Sequence, residues 1–426
     1  MKKILISSLF LIGHFYAHAQ FGNLVKKLGQ TAKSTAESKS DNKVSETISK
    51  GFDGIFKKKD RSGKTQSGNN PSTENTIVKN KDLKSYSRFD FVQGEKLVYA
   101  EDFSKDLIGE MPLNWTTNGK GELMELDGIA GKWLRGFKNS ELTSINKNEL
   151  GENYTIEFDM VYYFGAATPA YVMPDISIRM MNNYPKSMSG NPRKGENSFI
   201  FNVHPKPEKS LAWIDCYNDG PTFKSTNIEV PFFSGKYNQV QHYSIQVQKT
   251  RLRIWIDENK VIDMPQVIDT SKKMSRISFE LGGASYPENE VGFYVSNIRF
   301  ANGSSDTRHK LLEEGKFSTS GILFAINSAE IQPTSYGVLK EIGTVLKENP
   351  NVKIQIIGHT SSDGNSTTNL ELSKKRAIAV KEALGKDFGI DDKRIETDGK
   401  GDTQPVSSNA TSEGKTQNRR VEFLKL

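Results

Sequence analysis

Two hydrophobic periods divide this chain, and no single sheet or helix bundle accommodates both. Between residues 91 and 301 apolar residues alternate with polar ones in short runs, as in Tyr154–Met160, Tyr243–Gln248, Arg251–Asp257, Ser275–Leu281 and Gly292–Phe300. A period of two sends successive side chains to opposite faces of a strand. In the run beginning at Arg251, residues Arg251, Arg253, Trp255 and Asp257 share one face, and Leu252, Ile254 and Ile256 the other. One dry and one wet face per strand, repeated over some 210 residues without a long helical period, predicts antiparallel sheets packed face to face as one β-sandwich. A lipid-facing barrel would need almost uncharged outer faces. The long loops at 181–198 and 204–212 and the short apolar segments favour the sandwich.

After residue 317 the period changes. Val338, Leu339, Ile342, Val345 and Leu346 form a helical stripe that stops before Pro350, and Val352–Ile357 is an apolar strand. Ile322–Ile326 reads as a short strand before that helix. A second helix is expected from about Asn369 to Leu384 with Gly385 as its stop. Further strands are expected at Arg394–Thr397 and Arg420–Leu424, with a short helix between Gly401 and Asn418. The order is β-α-β-α-β. At 426 residues the chain also exceeds one ordinary core. The fold class expected is therefore multidomain: an all-β jelly-roll sandwich (91–303), a connector (304–316) and an α/β domain (317–426).

The N-terminal ninety residues are of another kind. Lys2 and Lys3 precede the apolar run Ile4–Ile12, and Ala17-His18-Ala19 supplies the small residues of a cleavage site, so 1–19 is expected to be a signal peptide cut before Gln20. With no cysteine at that point, no lipid anchor is expected. Residues 20–90, rich in Lys, Ser, Thr, Asn and Gly, lack the apolar content to offset chain entropy and read as a largely disordered linker. Two pieces have helical spacing: Phe21, Leu24, Val25, Leu28, and Val44, Ile48, Phe52, Ile55, Phe56. The second is flanked by lysines, so a plain tether and a helix that lies on a membrane surface or docks on a partner both stay open. The net charge of +7 suits an anionic membrane or wall polymer and specifies neither. Cys216 is alone, which leaves no intrachain disulfide and no cysteine metal site, and His204, His242 and His309 lack metal-ligand spacing. No cofactor, no metal and no nucleic-acid partner are expected.

On the second C-terminal helix, Leu372, Ala379 and Ala383, thickened by Val380 and Leu384, form an apolar stripe on which Arg376 also falls. A guanidinium at such a margin has to be paired. Spacing alone leaves open an intradomain salt bridge or bidentate capture of a ligand carboxylate.

Gly358-His359-Thr360, Leu372-Ser373-Lys374-Lys375-Arg376-Ala377, Gly399–Pro405 and Asn418-Arg419-Arg420-Val421-Glu422 resemble the OmpA-like C-terminal domain family over about residues 317–426. The resemblance implies a domain that binds peptidoglycan at the diaminopimelate of the stem peptide, whose side-chain end is a zwitterion. It implies a site drawn from Thr360, Ser361, Asp363, Asn369, Leu372, Arg376, Asn418, Arg419 and Arg420. The chain departs from the family at one position: Ser361 stands where an aspartate is usual, and the nearest carboxylate is Asp363.

Upstream, Tyr99–Ser104 with Gly109–Trp115, and Tyr294–Phe300, resemble the first and last strands of concanavalin/laminin-G-like jelly rolls, which implies binding of sugars or proteins. Trp133, Trp213 and Trp255, with Tyr217 and Tyr286, are the sugar-stacking candidates. Glu157-Phe158-Asp159-Met160-Val161-Tyr162 resembles the Glu-x-Asp-x-x-Glu strand of laminarinase-like members but has Tyr162 where the second glutamate belongs. Glycoside hydrolysis needs two suitably placed carboxyl groups; here Glu157 and Asp159 are expected on a solvated strand face. The functional expectation is an exported, non-enzymatic envelope protein, periplasmic or associated with the outer membrane. It would hold peptidoglycan through its C-terminal domain and present the sandwich to a glycan or an outer-membrane protein. A scaffold without wall binding and a wall-tethered glycan hydrolase are the alternatives.

Overall fold

A computed structural model describes residues 89–165, 173–182, 195–230, 235–304 and 306–426. The expected signal peptide and the helical pieces of the linker lie outside the described residues.

The alternating half folds into two antiparallel sheets, each eight-stranded among the described residues. In chain order the strands are β1 Lys96–Glu101, β2 Trp115–Thr117, β3 Gly121–Leu126, β4 Ile129–Gly136, β5 Ser140–Ser144 and β6 Asn153–Phe164. Next come β7 Ile176–Asn182, β8 Asn197–His204, β9 Ser210–Asn218, β10 Pro221–Lys224 and β11 Ile228–Val230. The remainder are β12 Val240–Gln248, β13 Arg251–Ile256, β14 Asn259–Met264, β15 Met274–Leu281 and β16 Val291–Asn302. The first sheet runs β14-β13-β12-β6-β16-β4-β3 with β1 on β16, and the second runs β10-β9-β8-β7-β15-β5-β2 with β11 on β9.

Their facing sides make one core. Ile156, Phe158, Met160 and Tyr162 of β6 meet Tyr243 and Ile245 of β12 from the same sheet and Phe279 and Ile277 of β15 from the other. Phe158 stacks on Tyr243 with centroids 4.9 Å apart and meets Phe279 edge-on at 5.0 Å. The alternation thus selects the inner face, as a period-two pattern requires.

The outer face of the first sheet is covered around its two tryptophans. Trp255 on β13 is 0% exposed, covered by Phe89 and Phe91 at 6.2 and 5.5 Å, and its indole N–H donates to Asp90 at 3.1 Å. Trp133 on β4 is 2% exposed and packs with Val161 and Tyr294. Neither ring presents a face for a sugar, so these two stacking candidates are corrected to packing residues; Tyr286, 4% exposed, goes with them. Trp213 remains partly exposed, its indole N–H bonded to Asp215 at 2.9 Å and Lys224 lying 5.8 Å over its ring.

The C-terminal part holds α1 Thr307–Leu312, β17 Lys316–Thr319, α2 Tyr336–Glu348, β18 Ile354–His359, α3 Ser366–Phe388, β19 Ile395–Gly401, α4 Ser412–Asn418 and β20 Val421–Lys425. Its sheet runs β17-β20-β18-β19, with β18 and β19 parallel and the other pairs antiparallel. Two expectations change. The first strand is Lys316–Thr319; Ile322–Ile326 makes only a single bridge, Phe324 to Ile331, around a turn. Helix α3 runs through Gly385 and stops at Gly389, whose φ of 68° gives the left-handed cap that glycine accepts without a Cβ clash. Its N-terminus starts early because the Asn365 side chain accepts from the Thr367 and Thr368 amides.

The two parts are fastened together. Phe91 and Val92 run between Trp255 and the C-terminal core, and the Gln93 side chain accepts from the Ser320 hydroxyl at 2.9 Å. Helix α4 lies along β1, where Glu413 accepts the Ala100 amide at 3.3 Å. Lys310 also pairs with Glu95.

Candidate functional site

The buried seam of α3 is Asn369, Ser373, Ala377, Val380, Leu384 and Phe388. It is shifted by one position from the purely apolar stripe because two small polar residues belong to it. Ser373 fits where β18 and β19 expose glycine: a Cβ on Gly399 would sit 2.4 Å from the Ser373 hydroxyl, and one on Gly358 2.2 Å from the Ser373 carbonyl oxygen. The Ser373 hydroxyl also accepts the Gly401 amide at 2.9 Å. This close approach holds the helix against the loop that follows β18.

Arg376 then falls at the margin of the seam, half-buried. Its Nε donates to the Ser328 carbonyl at 3.0 Å, and its guanidinium lies 4.8 Å over the Phe324 ring. Among the described residues no carboxylate comes within ion-pair distance of it. Burial, aided by the Arg419 cation, brings its pKa down to about 10, which still leaves it charged at neutral pH. An unpaired, partly desolvated guanidinium is the kind of group that favours a carboxylate.

The loop delivers the rest. Thr360 and Ser361 are buried, and Asn369 donates to the carbonyls of Ser361 (3.3 Å) and Asp363 (3.0 Å), which folds the loop back over the helix. Asp363 curls toward the position that Ser361 occupies: the Ser361 hydroxyl donates to it at 2.9 Å, Lys415 at 2.6 Å, and Arg419 stands 3.9 Å away. Burial would raise its pKa, but the hydrogen bonds from Lys415 and Ser361 hold the carboxyl below the usual range. The amides of His359, Thr360 and Ser362 are used internally, by Arg420 O, Gly401 O and Asn409 Oδ1. They therefore do not add to a ligand carboxylate site.

Two residues implied by the family resemblance are engaged within the domain itself. Asn418 is 0% exposed; its oxygen accepts the Val406 and Ser407 amides, and its amide donates to Ser407 O and Asn409. It positions the 406–409 loop. Arg420 pairs inside the domain with Glu422 at 2.8 Å and donates to Gln404 O. With burial it pushes His359 down to about 4, so that imidazole is neutral.

Thr360, Ser361, Asp363, Asn369, Leu372, Arg376, Arg419 and Arg420 all line one cleft of about 860 Å³, and its opposite wall belongs to the sandwich. There Glu101, Asp102, Asp159, His242, Asn297 and Arg299 look across. Glu157 and Asp159 are thus not on a solvated face. Glu157 is 3% exposed and pairs with Arg299, while His242 bonds Asp159 at 2.7 Å and stands 3.6 Å from Glu157. Burial opposes ionisation, yet Arg299 and His242 keep Glu157 low, and His242 and Asn297 keep Asp159 low. Burial would lower His242, but the two carboxylates outweigh it and lift the imidazole to about 9. The sequence points to Glu157 and Asp159 but not to His242 and Arg299, which only strand pairing brings beside them. Tyr162 points into the core, its hydroxyl on Pro174 O. Among the described residues no three His, Cys, Asp or Glu side chains gather as a metal site, and no helix is long and apolar enough to cross a membrane.

Residues 323–419 match the OmpA family, and the chain carries an OmpA family domain at its C-terminus. The probable lipoprotein YiaD of Escherichia coli is 42% identical over 104 residues, covering 24% of this chain and 47% of that protein. The peptidoglycan-binding protein ArfA of Mycobacterium tuberculosis is 36% identical over 103 residues, 24% of this chain and 31% of that one. The chain thus spans less than half the length of these curated relatives. Among solved structures, the peptidoglycan-associated lipoprotein from Burkholderia pseudomallei is 31% identical, covering 26% of this chain and 89% of that one with a TM-score of 0.24.

Proposed function

We propose that the protein is a non-enzymatic envelope component that holds peptidoglycan non-covalently through its C-terminal domain. The observation that carries this reading is Arg376: charged, half-buried, facing a cleft and without a carboxylate partner among the described residues. The diaminopimelate carboxylate of a stem peptide supplies that partner. Leu372, one turn before Arg376, gives the aliphatic part of the stem an apolar wall in the same cleft. The name of one relative, a peptidoglycan-binding protein, supports the same ligand class.

In this reading residues 1–19 export the chain, 20–90 tether it, 91–303 form the sandwich and 317–426 the wall-binding domain, placing it in the periplasm at the outer membrane. The sandwich presents a binding surface for a glycan or an outer-membrane protein, with Trp213 and Tyr217 as the stacking candidates still partly open to solvent. Hydrolysis by the β6 carboxyl groups is disfavoured on electrostatic grounds. A retaining or inverting mechanism needs one carboxyl group that keeps its proton, and Glu157 and Asp159 are both held ionised.

Co-sedimentation with purified sacculi tests the assignment. The full chain is expected in the pellet and Arg376→Ala in the supernatant; a wild-type chain that stays in the supernatant refutes it.

A further inference from the structure

Arg376 answers only half of a zwitterion; the ammonium needs an anion a few ångströms away. The C-terminal side of the cleft does not offer a free one. Ser361 carries no charge, and both oxygens of Asp363 are engaged, Oδ1 by Lys415 at 2.6 Å and Oδ2 by Ser361 at 2.9 Å. Across the cleft the sandwich offers four carboxyl groups, Glu101, Asp102, Glu125 and Asp159. Glu125, on β3, is exposed, and among the described residues no hydrogen bond or ion pair ties it to the C-terminal wall. Asp159 is taken up by His242 and Asn297, each at 2.7 Å. Glu101 is 7% exposed, accepts the Phe103 amide at 3.1 Å, and is raised by burial to about 7.

Asp102 differs from these three, being partly open and yet in contact with the C-terminal wall. Its side chain is 21% exposed, and its contacts to the C-terminal domain are long: Arg419 at 3.7 Å and the Ser412 hydroxyl at 3.4 Å. It also accepts the Ser104 amide at 3.1 Å. The residue is held firmly all the same. Phe103 next to it is fully buried against Trp115, and Lys132 ties down the carbonyls of Ser104 and Asp106.

The cleft also holds polar atoms that lack a hydrogen-bond partner among the described residues. These are the Thr360 hydroxyl, on a residue 6% exposed, and both ring nitrogens of His359, 2% exposed; both residues line the cleft. Buried groups of this kind cost free energy unless something satisfies them. They point independently to a polar occupant.

We propose that the ligand site has two walls, and that Asp102 of the sandwich supplies the anion for the ammonium of a diaminopimelate-type stem whose carboxylate binds Arg376. This rests on the wall-binding reading above. It makes the sandwich part of wall recognition, so that the Ser361 substitution is complemented from another domain. When the ammonium binds, it replaces the loose Arg419–Asp102 contact, and Arg419 keeps its contact with Asp363.

The test uses the full chain and calorimetric titration with two probes: the tripeptide Ala-γ-Glu-diaminopimelate, and the same peptide acetylated on the side-chain amine. Asp102→Asn, nearly isosteric, is expected to weaken the free-amine peptide about tenfold, the scale of one charge-assisted hydrogen bond in a partly open cleft. It is expected to leave the acetylated peptide unchanged, with an unaltered melting temperature. Wild-type affinity in Asp102→Asn, while Arg376→Ala abolishes binding, overturns the proposal and leaves the wall-binding reading standing. An amine-dependent loss in Asp363→Asn rather than in Asp102→Asn overturns it in the same way. Failure of the wild-type chain to bind either peptide overturns both.

Discussion

His242 is the most informative residue to perturb, because its charge state is set by the cleft wall. It sits between Asp159 and Glu157, with Arg299 and Asn297 behind them, and Asp257 accepts its backbone amide at 3.0 Å. Its pKa rises from 6.5 to about 9 on folding. At ~1.4 kcal/mol per unit, that gap amounts to about 3 kcal/mol of stabilisation. Because the folded value is the higher one, this stabilisation is complete below pH 6.5 and is lost as pH climbs through about 9. Glu157 and Asp159 are shifted the other way, so their contribution is present at neutral pH and disappears only in acid. His242→Gln keeps a hydrogen-bonding side chain and removes the proton. Urea unfolding followed by tryptophan fluorescence is expected to show the variant about 3 kcal/mol less stable at pH 6 and close to wild type at about pH 10. Parallel pH profiles for the two proteins refute the reasoning, as does an imidazole that titrates near 6.5 by NMR.

Other outcomes follow from the packing. Trp255→Ala is expected to cost about 3–5 kcal/mol, the range for large buried aromatics, because it removes the surface on which Phe89 and Phe91 rest; a thermal melt reports it. A Cβ on Gly337 would lie 1.8 Å from the Phe91 carbonyl oxygen, so Gly337→Ala is expected to release residues 89–93 to proteolysis; an unchanged digestion pattern counts against this packing of Phe91 on α2. Burial, with Asp215 adding to it, pushes the Cys216 thiol up to about 12, so iodoacetamide at about pH 8 is expected to label it only after denaturation.

Much of the C-terminal domain is legible in the sequence because its signals are local. The stripe from Val338 to Leu346 forms α2 with each of those side chains buried, and Arg376 stands out from helical phase and motif. The one-residue shift in the seam of α3 is not legible, since Asn369 and Ser373 are buried only because Gly358, Gly399 and Gly401 leave room across the sheet. Gly385 looks like a stop because glycine opposes helix locally, and tertiary packing overrides that preference. In the sandwich the alternation marks the inner face, but period two cannot say what covers the outer one. Trp133 and Trp255 therefore look available in the sequence, whereas Tyr294, Phe89 and Phe91 close over them in the fold. Asn418 and Arg420 match a family motif, but only the hydrogen bonds show them turned to structural work. The two-walled cleft is invisible for the same reason: it joins residues some three hundred positions apart, such as Asp102 and Arg419.

Capture of a wall carboxylate by Arg376 is tested most directly by retention of the full chain on diaminopimelate-type sacculi. Retention is measured against rising free meso-diaminopimelate, beside Arg376→Ala and Arg376→Lys. The wild-type chain is expected to be displaced by the free amino acid, Arg376→Ala not to be retained, and Arg376→Lys, which lacks the planar fork, to be retained only weakly. Retention that survives both the competitor and the loss of the guanidinium contradicts the capture.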